Sequence, residues 1–216
     1  TVLKYKAALS ASAVPAMSKR NRNVFFNATV PFTELANAST GIGHINFNPD
    51  KDGTCRRSIP LLWFIDPGTA YPSLPLVIAA HIKKIPFKSI TTTDDALIAS
   101  DVTIPLLSDG SMMINYQGGR IKKDPDGKEY YESFYRYIPY DYVIASKDLM
   151  QAGKEPLLPK GTFKDKVVLV TASAAGLSDL RATPFSPVTP GVEINANVID
   201  NILSKKFLRS IDGRAE

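Results

Sequence analysis

Three groups of residues carry side chains whose types and spacing could do chemistry. The run Asn48-Pro49-Asp50-Lys51-Asp52-Gly53 sets oxygen donors at alternate positions, as the first half of a calcium loop does. Such a loop needs a bidentate Glu at its twelfth position, and that position is Ile59; Pro49 also stiffens the arc. The segment is therefore read as a turn, with Asp50 and Asp52 bonding local N–H groups or pairing with Arg56 and Arg57. Second, Ser173 follows an apolar run, where hydrolases place a nucleophile. Thr171-Ala172-Ser173-Ala174-Ala175 lacks the G-x-S-x-G spacing of a strained elbow, and the chain's imidazoles are His44 and His81 alone. Third, Ser178-Asp179-Leu180-Arg181 places a carboxylate and a guanidinium two apart in a loop, able to pair with each other or to meet a ligand. Glu193, Asn195 and Asn197 come from the first turns of a mainly apolar helix, and a polar side chain there needs a partner, so Asn195 is a loop clamp or a pocket wall. One cysteine, Cys55, and two histidines cannot build a zinc cluster, and Ala174–Ser178 lacks the glycine spacing and the Lys of a phosphate loop. No catalytic residue, metal ligand or cofactor is assigned.

The elements that must position these groups follow from periodicity and punctuation. Val24–Val30 reads as a strand bounded by Asn23 and Pro31, and Ile42–Asn48 as another, with Ile45 and Phe47 alternating against His44 and Asn46. Arg57–Ile65 reads as a mostly buried strand, paired with Ile42–Asn48 across the Asn48–Gly53 turn. Ser73 caps a helix that tolerates Pro75 in its first turn, carries Lys83-Lys84 at its negative end and stops at Pro86. His81 on this helix is read as a half-buried structural histidine. Ser111–Tyr116 reads as a short strand and Tyr140–Ala152 as a helix. The segment Thr91–Leu107 fits neither period cleanly. Lys166–Thr171 (KVVLVT) has four consecutive apolar residues, the habit of a central parallel strand buried on both faces. Val192–Leu203 is a helix apolar on so much of its girth that it must be mostly buried. Strands interleave with helices, so the expected fold class is α/β, a mixed, mostly parallel sheet flanked by helices. In such a sheet the loop Thr171–Pro184 would open into the ligand crevice.

Composition excludes several classes. The 216 residues hold 44 % hydrophobic and 22 % charged side chains, the values of a globular chain long enough to bury one core. The net charge of +5 is spread thinly, without a basic stripe interleaved by aromatics, so nucleic acid is not an expected partner. The longest apolar run, Ile59–Ile65, is interrupted by Pro60 and is far short of the ~20 residues of a membrane span. The chain is expected to be soluble, a single domain over 1–216 excised from a longer protein that itself need not be soluble.

Several blocks, taken in order, resemble a known family. Gly43-His44-Ile45-Asn46-Phe47-Asn48-Pro49-Asp50-Lys51-Asp52-Gly53 through Arg56-Arg57 and Pro60-Leu61 is similar to the G-x-x-N-x-x-P-D-x-D-G-x-x-R-R-x-x-P-L signature of the type-two CHASE domains. The name stands for cyclase/histidine-kinase associated sensory extracellular. Tyr71-Pro72-Ser73-Leu74 resembles the next block and Ile114-Asn115-Tyr116-Gln117-Gly118 the strand after it. Lys166–Val170, then Ala175-Gly176-Leu177, Asp179, Thr183-Pro184 and Pro190–Asn197 resemble the last, the whole spanning about Gly43 to Leu208. Three departures stand out: Val170-Thr171-Ala172-Ser173 replaces the usual strand ending, Asn195 stands where the family usually has His, and the family's N-terminal α/β part is expected to be lacking here, leaving the sheet incomplete or completed by a partner.

The resemblance implies an extracytoplasmic ligand-sensing domain on the periplasmic face of a bacterial membrane. It belongs in a receptor with a cyclase or kinase output, homodimeric at full length, and is not itself an enzyme. The ligand, an unknown small molecule, is expected around Thr171, Ser173, Asp179, Arg181, Asn195 and Asn115. The relay would be a shift of the Val192–Leu203 helix between two arrangements. The alternative is a cell-envelope interaction domain without a small ligand, using Tyr130, Tyr131, Phe134, Tyr135, Tyr137, Tyr140 and Tyr142. A serine hydrolase using Ser173 comes third.

Overall fold

The structure is a computed structural model; it describes residues 31–64, 69–172 and 179–210, with the backbone alone at Val14–Pro15, Val24–Phe25, Phe64, Thr69 and Tyr131. The chain divides into two compact units. Unit 1 comprises Thr1–Gln117 with Asp179–Glu216, and unit 2 comprises Gly118–Ser178.

Unit 1 begins with β1 (Val14–Pro15), β2 (Val24–Phe25) and the short helix α1 (Thr33–Ala38). Pro60 lacks a donor for the ladder and splits the expected Arg57–Ile65 strand into β3 (Arg57–Ser58) and β4 (Leu61–Phe64). With β5 (Thr69–Pro72) these give a sheet of order β1-β5-β4-β2, antiparallel except for β2 against β4. Helix α2 (Leu74–Ile82) forms as expected: the Ser73 hydroxyl accepts from the Leu76 amide at 3.4 Å, and Pro75 sits in the first turn. His81 on that helix is exposed rather than half-buried.

The segment of mixed signal, Thr91–Leu107, is an antiparallel sheet of β6 (Thr91–Thr92), β7 (Ala96–Ala99) and β8 (Val102–Pro105). β7 buries Leu97 and Ala99 while Ile98 faces out, and β8 buries Val102 and Ile104. β9 (Met112–Met113) pairs antiparallel with β3. The core gathers Trp63, Leu76, Ile90, Leu97, Ile104 and Met112 around Ile194, Val198 and Ile202 of the last helix.

Unit 2 holds the hairpin β10 (Gly119–Lys123) and β11 (Glu129–Ser133), turned at Asp124–Gly127, and helix α3 (Tyr140–Gln151). Among its described residues no apolar side chain is fully buried, although α3 forms where the sequence places a helix. Back in unit 1, β12 (Leu180–Arg181) pairs antiparallel with β13 (Thr189–Pro190), which runs into α4 (Gly191–Ser204). Helix α4 contributes Ile194, Val198, Ile199 and Ile202 to the core, as its apolar girth demands. Lys205, left-handed at φ 56°, ends the helix.

Three further expectations need correction. The fold is mixed α/β, but its small sheets are antiparallel, not mostly parallel. Connection length is the reason: a parallel pair needs a crossover of about a dozen residues or more, whereas β7 and β8 are separated by Ser100-Asp101 alone. The second correction concerns Lys166–Thr171. It forms no strand; Val167 and Val168 are exposed, and Val170 is 78 % exposed. Four apolar residues in a row mark a buried strand only where ladder partners flank it on both sides, and no described residue pairs with this run. Similarly, Ile42–Asn48 does not pair with Arg57–Ile65. His44 bridges Ser73 instead, and Ile45 is exposed. The reason lies at Gly43, where a Cβ would stand 2.5 Å from the Leu74 backbone: the glycine lets this stretch run against the start of α2. Of the expected strand Val24–Val30, residues 26–30 lie outside the described residues.

Candidate functional site

The turn at Asn48–Gly53 is built by its own donors. Gly53 at φ +80° reverses the chain, its amide donates to Asp50 O at 2.8 Å, and Asp50 N donates to Thr54 O at 2.9 Å. Asp52 Oδ1 accepts from Thr54 N at 3.0 Å. The two carboxylates then turn onto the two arginines, as the sequence suggests. Arg56 reaches Asp50 at 2.9 Å and grips Asp52 with both terminal nitrogens, at 3.0 and 2.8 Å. Arg57 Nε meets the other oxygen of Asp50 at 3.0 Å. A planar fork matches a carboxylate in this bidentate manner, which a lysine could not do. The hydrogen bonds from Arg56 hold the Asp52 carboxyl well below the usual carboxylate range and push the Arg56 guanidinium up.

Arg57 extends the network to Asp109 at 3.3 Å, and Asp109 Oδ1 accepts from both the amide and the hydroxyl of Ser111, at 2.9 and 2.5 Å. These groups wall a cleft of about 580 Å³ lined by Asn48, Pro49, Asp50, Lys51, Asp52, Arg57, Ile59, Asp109 and Ser111. Its polar wall is held by ion pairs, and Ile59 and Pro49 add apolar lining.

The expected site residues fall elsewhere. Asp179 and Arg181 form an ion pair at 2.6 Å beside the start of α4, and both are exposed. Asp179 O accepts from Gly191 N at 2.7 Å, and its carboxylate packs so close to Gly191 that a Cβ there would stand 2.5 Å from Oδ2. A carboxylate at this end also gains from the helix dipole. Asn195 is buried and turns back on its own helix, donating to Gly191 O at 3.4 Å. Thr171 is exposed and belongs to unit 2, while Ser173 lies outside the described residues.

Asn115 is clamped rather than open. Its amide donates to Asn201 Oδ1 and its carbonyl accepts from Asn201 Nδ2, both at 2.8 Å; its own Nδ2 donates to Lys206 O at 3.4 Å. One turn earlier on α4, Asn197 Oδ1 accepts from Gln117 N at 2.8 Å, and Gln117 Nε2 bonds Asp200. The two asparagines thus give Asn115–Gln117 the partners a neighbouring strand would have supplied. Their i, i+4 spacing on an apolar helix was the available signal.

Two further buried groups lie in unit 1. Cys55 is 1 % exposed, burial pushes its thiol up, and the Tyr116 hydroxyl donates to its carbonyl at 2.7 Å. His44 accepts from Asn46 N through Nδ1 at 3.3 Å, while Nε2 is enclosed without a well-formed hydrogen bond. Burial pushes this imidazole down to about 4, with the Ile59 backbone offsetting only part of the effect. Neither ring nitrogen meets a serine hydroxyl among the described residues.

The signature turn, the clamped Ile114–Gln117 stretch and α4 are all parts of unit 1. The chain belongs to the CHASE2 domain family, whose model matches residues 5–215. This is a family of sensory extracellular domains, and it places the protein in signal transduction. No curated protein and no solved structure matches the chain. No helix among the described residues is long and apolar enough to cross a membrane.

Proposed function

We propose that the chain is the periplasmic ligand-sensing domain of a bacterial membrane receptor, and that a small polar molecule binds in the cleft walled by Asp50, Lys51, Asp52, Arg57, Asp109 and Ser111. The parent protein carries a cyclase or kinase output and works as a homodimer. The observation that carries this reading is that the signature motif Asn48–Arg57 builds the wall of an open cleft whose charged groups are already oriented. Pre-oriented groups reduce the ordering cost of binding. Lys51 forms no ion pair among the described residues and is the group left to answer an anionic substituent. The test is a thermal-shift panel of metabolites. A ligand that raises Tm of the wild type and not of Lys51→Ala supports the reading; stabilisation equal in both removes the cleft as the site.

A second reading is favoured by one observation. Tyr130, Phe134, Tyr137, Tyr140 and Tyr142 of unit 2 are all exposed, and aromatic side chains are enriched at interfaces. In this reading the domain dimerises without a small ligand. Light scattering that gives a concentration-independent monomer mass removes it.

A further inference from the structure

The strand that follows the signature turn is tied along both edges to the two halves of α4. On one edge Cys55 N donates to Ala182 O at 2.8 Å and Thr54 bridges the same residue. Ala182 follows β12, which pairs with β13, and β13 continues without a break into Gly191. On the other edge Ile114 N donates to Arg56 O at 2.9 Å and β9 pairs with β3. One and three residues beyond Ile114, Asn115 and Gln117 are held by Asn201 and Asn197. Gln117 and Asp179, the residues at which the chain leaves unit 1 and returns to it, are both fastened on α4.

We propose that α4 reads the state of the cleft through these two tethers: a change in the Asp50–Arg57–Asp109 wall alters the hold of Asn197 and Asn201 on Asn115–Gln117. This rests on the cleft being the sensing site and adds the route by which its occupancy leaves it. The physical basis is continuity. Each link is a hydrogen bond of 2.7–3.0 Å or an uninterrupted ladder. Short polar links in a packed interior have discrete arrangements rather than a continuous range. The cleft wall and the clamp also share one short segment, since Asp109 and Ser111 precede β9, and Asn115 follows it.

The experiment uses the protein alone, with amide hydrogen exchange followed by NMR in the wild type and in Asp50→Asn. Asp50→Asn weakens the hold on Arg56 and Arg57 while lying 65 residues from Asn115 in sequence. The relay predicts at least a ~10-fold loss of protection at the Asn115 and Gln117 amides, with the amides of α3 unchanged within ~2-fold. Asp109→Asn is the second variant and is expected to do the same, so the answer does not depend on one substitution folding well. Unchanged protection at Asn115 and Gln117, or an equal loss in α3, overturns the relay. Because no ligand is added, a silent metabolite panel would sink the sensing reading and leave this result standing on its own.

Discussion

Replacing Asn201 by leucine tests the clamp at its centre. The side chain is 0 % exposed, and both of its 2.8 Å bonds go to the Asn115 backbone. Leucine has the same number of side-chain heavy atoms and the same branching at Cγ, so the change removes two hydrogen bonds without opening a cavity. A buried donor or acceptor left unmet costs ~1–3 kcal/mol, and Asn115 is partly exposed, so the two together cost about 2–4 kcal/mol. Burying the leucine returns ~1 kcal/mol. The net destabilisation is ~1–3 kcal/mol, which moves a urea midpoint down by ~0.5–1.5 M at a slope of about 2 kcal/mol/M. Asn201→Asp sharpens the assay: it keeps an acceptor for the Asn115 amide but sets a carboxylate against the Asn115 carbonyl. Its loss relative to wild type at the same pH should shrink as pH falls towards ~4, where a protonated carboxyl can again donate. A leucine variant within ~0.5 kcal/mol of wild type would refute the reasoning, because the two amide bonds would then carry no net weight.

Acid should destabilise unit 1 through His44. Its folded value is about 4 against an ordinary 6.5, so the unfolded chain binds the proton more readily. The contribution is fully present above ~6.5 and is lost as pH falls towards 4, amounting to ~3 kcal/mol at most; urea titrations of wild type and His44→Gln at pH 7 and 4.5 check it. Gly43→Ala should cost ~3 kcal/mol or more, because its Cβ meets the Leu74 backbone. Gly191→Ala should cost ~1 kcal/mol, because its Cβ meets the exposed end of Asp179, which can swing away; thermal melts of the two variants test the order. Cys55 should react with a thiol reagent at least ~100-fold more slowly in the native protein than in urea, since its thiol is buried and its ionisation suppressed; absorbance kinetics read this directly.

Local chemistry was legible where a residue acts on its near neighbours in sequence. Ser73 and Pro75 announced α2, Asp50-x-Asp52-Gly53 announced its turn and its pairing with Arg56 and Arg57, and the girth of Val192–Leu203 announced a buried helix. Pairing between distant segments was not legible. KVVLVT has the residues of a central strand, but burial is conferred by neighbouring strands, and hydrophobicity does not say whether they are there. Sheet sense likewise depends on which segments meet: β3 takes its partner from Met112–Met113, beyond two other sheets in sequence. The expected site residues lie apart from the cleft for the same reason. Asp179, Arg181 and Asn195 serve the start of α4, and Asn115 serves its later turns, whereas the open cleft lies at the turn that the sequence marked as structural.

Ligand occupancy of that turn is best tested by mapping where a bound molecule perturbs the backbone. With any compound that raises Tm, two-dimensional amide NMR should show its largest shifts at Lys51, Asp52, Arg57 and Ser111, with smaller ones following at Asn115 and Gln117. Shifts concentrated in unit 2, with the Asn48–Arg57 amides unmoved, would contradict the account.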